Sequence, residues 1–386
     1  MTSQSTSRVI SARRKNNLRP ARTLGSLCRS SLRNLHRPPA RSKRRGIHAA
    51  EGRSPRLHRH SLARMALLAV LPLVAFTAHA EWLRDSRGLM GTEIIVQLWH
   101  DDRGAGEDAV EAVFAEMIRI DELMSTYIDN SRISLINREA GERSVSAGDE
   151  LYELIVRSLD ISILTRGAFD ITYDSVGQHY DFRQRQRPDP ETIEQELDRI
   201  DYRYVKTDDH DKSIRFLKPG VRINLGGIAK GYAVERGARI LRDLGVRHAI
   251  VTAGGDSRLL GDRRGQPWVV GVRDPRKDGE VAIRIPLENE AISTSGDYER
   301  YFEENGTRYH HILQPATGEP ANGVHSVTVV GPDAVLTDAL STSVFVMGVD
   351  QGLRLLATLP DYEGIVIDAE GRLFYSDGLQ PPERNL

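Results

Sequence analysis

The boundary near residue 80 constrains this chain more than any other feature, because only the residues beyond it can build a core. Residues 1–64 hold 17 Lys/Arg against the single acid Glu51, while the remainder holds 36 Lys/Arg against 53 Asp/Glu. A formal net charge of −1 therefore conceals a basic arm joined to an acidic body. The arm is rich in Arg, Ser and Pro without apolar periodicity, so it cannot bury enough surface to offset the entropy of folding. It reads as a disordered presequence; the alternatives are a nucleic-acid arm, a transit-like peptide, or sequence upstream of a start at Met65. Residues 65–80 then run Met-Ala-Leu-Leu-Ala-Val-Leu-Pro-Leu-Val-Ala-Phe-Thr-Ala-His-Ala. That apolar run is too short for an ordinary transmembrane helix. It ends in Ala78-His79-Ala80, with small residues where a signal peptidase requires them. Cleavage before Glu81, export to the periplasm and a folded domain over 81–386 are expected. Twin arginines at 13–14 and 44–45 lie far upstream of the apolar run, a poor placement for a twin-arginine route. Cys28, the sole cysteine, precedes the cleavage site. The expected mature chain therefore has no disulfide, no thiolate metal ligand and no lipid-anchor cysteine. Its acidity argues against nucleic acid as a partner, and no transmembrane anchor is expected in it.

Within the acidic body the periodicity changes repeatedly. Met90 to Trp99 reads as a strand. Residues 107–124 place Ala109, Val113, Met117, Ile120 and Leu123 at helical spacing, and 148–165 do the same with Leu151, Leu154, Ile155, Leu159 and Ile163. Gly167 suits a C-cap beyond the second helix. The charged region 180–215 reads as an exposed excursion with a helix near 190–199. Arg222 to Leu225 predicts a strand, Gly226-Gly227 a turn, and the following residues a helix capped near Gly245. A strand from Ala249 then ends in a second glycine turn, Gly254-Gly255. Strands are expected around 267–273, 280–286 and 324–331, and helices from Thr337 and near 349–358. With no internal repeat, the fold class predicted is α+β, one large mixed domain.

Three places carry chemistry. The turn at Gly226-Gly227 leads into a helix N-terminus whose free N–H groups favour an anion. Lys230 in that first turn opposes the helix dipole, which an anion held beside it would explain. The spacing is neither a Walker loop nor a dinucleotide fingerprint, and close helix packing is the alternative. Asp338 and Thr342, four apart, share a helix face that suits a hard cation, or else mark an N-cap region. The stretch 291–318 concentrates hydroxyls, an acid and two histidines between glycine turns, and reads by itself as a hairpin with a polar tip.

Taken in order, these motifs resemble the FAD:protein FMN transferase (ApbE) family from about Met90 to Gly348. The resemblance is carried by Met90-Gly-Thr, Met124-Ser-Thr-Tyr with Asn130-Ser-Arg-Ile-Ser, Gly167-Ala-Phe-Asp and Gly226-Gly-Ile-Ala-Lys-Gly-Tyr-Ala. It continues through Ala253-Gly-Gly-Asp, Thr294-Ser-Gly-Asp-Tyr, His311-Ile-Leu-Gln-Pro-Ala-Thr-Gly and Thr337-Asp-Ala-Leu-Ser-Thr. It implies an α+β domain of that family's type that cleaves FAD, attaches FMN by a phosphoester to a threonine of a target flavoprotein, and releases AMP. The target implied belongs to a membrane electron-transport complex. Carried over by position, FAD contacts fall at Met90, Tyr127, Ala168, Phe169, Asp170, Asn224, Lys230 and Leu313. Mg²⁺ ligands fall at Gly227 (through its carbonyl), Asp338 and Thr342. His311 is the implied proton-transfer residue, with His310 structural. Two positions depart from the family pattern, Asn224 and Gln314, where it usually has Asp. They leave a second possibility, a protein that binds or hydrolyses FAD without modifying a partner.

Overall fold

The computed structural model describes residues 8–9, 80–277 and 279–379. The presequence and signal segment, apart from Arg8–Val9 and Ala80, lie outside the described residues. The acidic body begins with a hairpin. Strands Glu81–Leu89 and Thr92–His100 pair antiparallel across a two-residue turn, Met90–Gly91, with φ of 52° and 70°. Positive φ at both positions is the turn that matches strand twist, and Gly91 adopts it without a Cβ penalty. The strand predicted from Met90 therefore starts at Thr92. Its partner Glu81–Leu89 escaped the reading because four of its nine residues are charged and it buries only Leu83 deeply.

Eight strands, every neighbouring pair antiparallel, form the main sheet. Their order is 373–375, 363–368, 324–331, 291–296, 256–260, 249–253, 92–100, 81–89. In Thr92–His100 the alternate residues Ile94, Val96 and Leu98 are fully buried, as a half-covered strand demands. Helices α1 (Arg103–Met124), α2 (Arg132–Glu139), α3 (Asp149–Leu164), α4 (Asp174–Gly177), α5 (Pro190–Leu197), α6 (Ala229–Asp243) and α7 (Ala334–Ala357) follow in chain order. Of these α1, α6 and α7 pack on the sheet and on each other. Val113, Met117, Ala233, Val234, Ala238 and Leu241 bury against Ile94, Val96 and Val251. A separate core joins Leu259, Ile292, Val330 and Ile365 to the ribbon Trp268–Arg273/Val281–Leu287. Arg8–Val9 runs parallel beside Ile283–Arg284.

The helices predicted at 107–124 and 148–165 are α1 and α3, and that near 190–199 is α5, capped by Asp189. The strand predicted at Arg222–Leu225 is instead an irregular segment. Its N–H groups are met outside any ladder: Arg222 N donates to Ser175 Oγ, Ile223 N to Asn137 Oδ1 and Asn224 N to the Ile171 carbonyl. The excursion 180–215 contributes a small sheet through Val205–Asp208 and Ser213–Phe216. The stretch 291–318 divides into a central strand of the main sheet (Ala291–Gly296), a separate hairpin (Tyr301–Glu304/Thr307–His310) and a loop around Gly318.

One close approach sets the geometry of the cavity described below. A Cβ on Gly231 would lie 2.2 Å from the Ala334 carbonyl oxygen and 2.7 Å from Asp338 Cβ. Only glycine lets α6 and α7 cross this tightly.

Candidate active site

A cavity of about 1000 Å³ opens where the Met90–Gly91 turn, the Gly226-Gly227 turn, the first turn of α6 and the loop after His310 converge. Every site residue named from the sequence lines it: Met90, Tyr127, Ala168, Phe169, Asp170, Asn224, Gly227, Lys230, His311, Leu313, Asp338 and Thr342. The volume is at the top of the ordinary ligand range, ~300–1000 Å³.

The charged cluster sits where α6 meets α7. Asp333 caps α7, accepting from Val335 N and Leu336 N, which rules out the capping role for Asp338. One turn inside the helix, Asp338 turns its carboxylate to α6: Oδ2 accepts Gly231 N–H at 2.8 Å and Oδ1 lies 3.4 Å from Lys230 Nζ. Lys230 is held more closely by Asp256, at 2.5 Å from Oδ2. The anions beside Lys230 are thus two of the protein's own carboxylates. Burial works against the lysine's charge, but Asp256 and Asp338 outweigh it and raise its pKa. Asp338 is shifted upward as well: burial, then the neighbouring Asp256, lift its carboxyl above the ordinary range despite Lys230 and the Gly231 amide.

Thr342, one turn further along α7, brings Oγ1 to 3.2 Å from Ser295 Oγ. A Cβ on Gly227 would stand 3.4 Å from the same Oγ1, so the Gly227 backbone adjoins the threonine. Among the described residues no three His, Cys, Asp or Glu side chains gather as metal ligands. A cation here would take mixed oxygen donors: the Asp338 carboxylate, the Thr342 hydroxyl and the Gly227 carbonyl. Hard oxygen donors with few protein ligands fit Mg²⁺. Asp256 adds nearby negative charge, with its buried Oδ1 free of any hydrogen bond.

The two histidines separate cleanly. His310 is 4% exposed, with Nε2 bonded to the Ala321 carbonyl at 2.8 Å and Nδ1 accepting Ile312 N–H. Both ring nitrogens are engaged, so it is structural, as expected. His311 faces the cavity, and its buried Nδ1 has no partner. Burial, then Arg300, His310 and Lys230, push its pKa down to about 3. It is therefore neutral at neutral pH. Arg300 itself lines the cavity, donates to the Gly91 carbonyl at 3.3 Å and has no carboxylate in ion-pair reach among the described residues.

The remaining residues differ in what they offer. Tyr127 is 83% exposed at the mouth, whereas Phe169 and Leu313 are buried in the wall. Both oxygens of the Asp170 carboxylate are engaged within the protein, accepting from Thr172 N, Thr172 Oγ1 and Tyr202 N. Asn224 is held on both sides of its amide. Gln314 makes a turn through its backbone, accepting Thr317 and Gly318 N–H, and does not line the cavity. Sequence reasoning missed Asp256, Asp174 and Arg300. The first was signalled by the Gly-Gly-Asp turn and the last by the 294–300 stretch, but Asp174 had no signal.

A family model described as the ApbE family matches residues 90–366. An FAD:protein FMN transferase of Treponema pallidum (strain Nichols) is 30% identical over 289 residues, covering 70% of this chain and 80% of that one. One from Klebsiella pneumoniae (strain 342) is 30% identical over 283 residues, covering 72% and 87%. Among solved structures, the ApbE protein of Thermotoga maritima MSB8 matches with a TM-score of 0.72 at 36% identity, over 77% of this chain and 97% of that one. The flavin transferase ApbE from Vibrio cholerae matches with a TM-score of 0.69 at 26% identity, over 78% and 98%. The family match begins at the Met90–Gly91 turn and takes in every cavity residue named above; the chain belongs to the ApbE family.

Proposed function

We propose that this protein is a Mg²⁺-dependent FAD:protein FMN transferase that acts after export. It breaks the pyrophosphate bond of FAD and joins FMN as a phosphoester to a threonine of a target flavoprotein, one serving membrane electron transport. The observation that carries the reading is the convergence of Lys230, Asp338, Thr342 and His311 on one dinucleotide-sized cavity. The names of the relatives support the same activity.

In this reading Met90, Phe169 and Tyr127 offer apolar and aromatic surface to the ring systems. The Gly226-Gly227 turn and the head of α6 would lie along the diphosphate, although the Gly226, Ile228, Ala229 and Gly231 amides already donate to Asn224, Leu225 and Asp338. Asp338, Thr342 and the Gly227 carbonyl would hold Mg²⁺, which when bound neutralises phosphate charge and polarises the bond to be broken. Lys230, kept charged by its carboxylates, adds positive potential. The threonine oxygen attacks the FMN-side phosphorus, its proton passes to the unpartnered Nδ1 of His311, and the electron pair of the broken P–O bond leaves on AMP. A pKa near 3 makes His311 a weak base in the free protein. An arriving diphosphate offsets the Arg300 and Lys230 charges that hold it down, and so strengthens the base when it is needed.

AMP release from FAD, with Mg²⁺ or with a chelator, tests the metal assignment. Release should require the cation and fall at least a hundredfold in Asp338→Ala; release indifferent to both would overturn the assignment. AMP without an FMN adduct on the target would favour FAD hydrolysis. Export is checked by N-terminal sequencing of secreted material, expected to start at Glu81; retention of Met1 or Met65 contradicts it. No described helix is long and apolar enough to cross a membrane.

A further inference from the structure

Position 224 is Asn rather than an acid, and the physical reason lies on the far side of its amide. Asn224 Nδ2 donates to Asp174 Oδ1 at 3.0 Å and to Thr126 Oγ1 at 3.2 Å, while its Oδ1 accepts Gly226 N–H at 2.8 Å. Asp174, at the start of α4, is 5% exposed, and its other oxygen accepts from Arg222 Nε at 3.2 Å. An ionised carboxylate only accepts. An Asp at 224 would hold Gly226 equally well, but would set two carboxylates against each other across one hydrogen-bond distance. An amide donates on one side and accepts on the other, and Asp174 decides which way round it stands. Burial already raises the Asp174 carboxyl above its ordinary value, with Asn224 and then Arg222 working against that. Arg222 already pairs with Asp174, and a second carboxylate here would have to share it.

The consequence reaches the cavity through the glycine turn. Gly226 is fixed by the Asn224 oxygen, and the next residue, Gly227, packs so closely that a Cβ there would lie 3.2 Å from Phe169 Cε2 and 3.4 Å from Thr342 Oγ1. Rotation of the Asn224 amide would release Gly226 N–H and let this turn move against Thr342.

We propose that Asp174 is a positioning residue of the nucleotide site: it orients the Asn224 amide, which fixes the Gly226-Gly227 turn, so an acid–amide pair sets the geometry of that turn. For its ligand this proposal rests on the FAD reading above; for the pair itself it rests on geometry alone.

The test uses the full chain as wild type, Asn224→Asp, Asp174→Asn and the exchange D174N/N224D. FAD affinity is read by quenching of flavin fluorescence and stability by the urea midpoint. Each single change should weaken FAD binding at least tenfold and lower the midpoint. The exchange restores one carboxylate and one amide across the same contact, and should return affinity to within about threefold of wild type. Losses in the exchange that equal the two single losses combined would overturn the proposal, as would an Asn224→Asp variant that binds like wild type. If Asn224→Asp does not fold, a folded exchange variant that binds FAD supports the pair, and an unfolded one overturns it. A wild-type chain that fails to bind FAD would remove the transferase reading instead. The midpoints then decide alone, with recovery in the exchange supporting the pair and additive losses refuting it.

Discussion

His311 carries the sharpest residue-scale prediction. Its imidazole is kept neutral by burial and by the cations Arg300 and Lys230, with a pKa of about 3. Because a base's pKa rises when a nearby anion favours its charged form, FAD should move it upward. Titration of the ring protons by NMR, with and without FAD, should show a rise of at least one unit; an unchanged value would remove His311 from the vicinity of the diphosphate. Much at this scale was legible in the sequence. A lysine placed against its helix dipole and an Asp–Thr pair at one-turn spacing each pointed to charge arriving from elsewhere. What arrives at Lys230 was not legible, because Asp256 and Asp338 come from positions 26 and 108 residues further along the chain. The same holds for Asp174, which meets Asn224 across 50 residues. Local spacing cannot report such a contact.

Among the elements, α6 decides the site. Its Gly231 lies against the Ala334 carbonyl of α7 and donates to Asp338, so packing and site geometry are one contact. Gly231→Ala places a methyl where a backbone oxygen stands, and should cost ~1–3 kcal/mol by forcing the helices apart. Thermal melts should show the loss, and calorimetry should show weaker Mg²⁺ binding as Asp338 is displaced; a variant unchanged in both would contradict this picture of the crossing. On the other side of α6, Arg236 meets Glu116 of α1, which Arg119 also holds, and the Glu116 carboxyl falls to about 2. Arg119 is the larger cause. A depressed carboxyl stabilises fully above its unfolded value near 4.5 and loses that contribution as pH falls toward 2. Glu116→Gln should therefore cost about 1 kcal/mol at pH 7, and urea melts of the two proteins should converge below pH 3. A constant gap would mean that the loss is one of packing. The helices were legible because a long 3.6-residue period survives local noise. The segment 222–225 was not, since side chains and backbone from three other places replace the ladder that its apolar alternation promised.

At the scale of the whole molecule, one antiparallel sheet carries α1, α6 and α7, and the cavity opens beside the N-terminus of α6. The α+β class could be read from the mixture of helical and strand periods, and the family from its motifs in order, from Met90-Gly-Thr to Thr337-Asp-Ala-Leu-Ser-Thr. The sheet order could not, because strands 81–89 and 373–375 are edges with weak patterns of their own. The central claim is transfer of FMN to a protein threonine, and intact-mass spectrometry tests it most directly. The full chain is incubated with FAD, Mg²⁺ and a target domain carrying its acceptor threonine, beside a target with that threonine changed to alanine. The account predicts one FMN adduct on the first target, none on the second, and AMP in equal amount to the adduct. Release of AMP with both targets unmodified would contradict it.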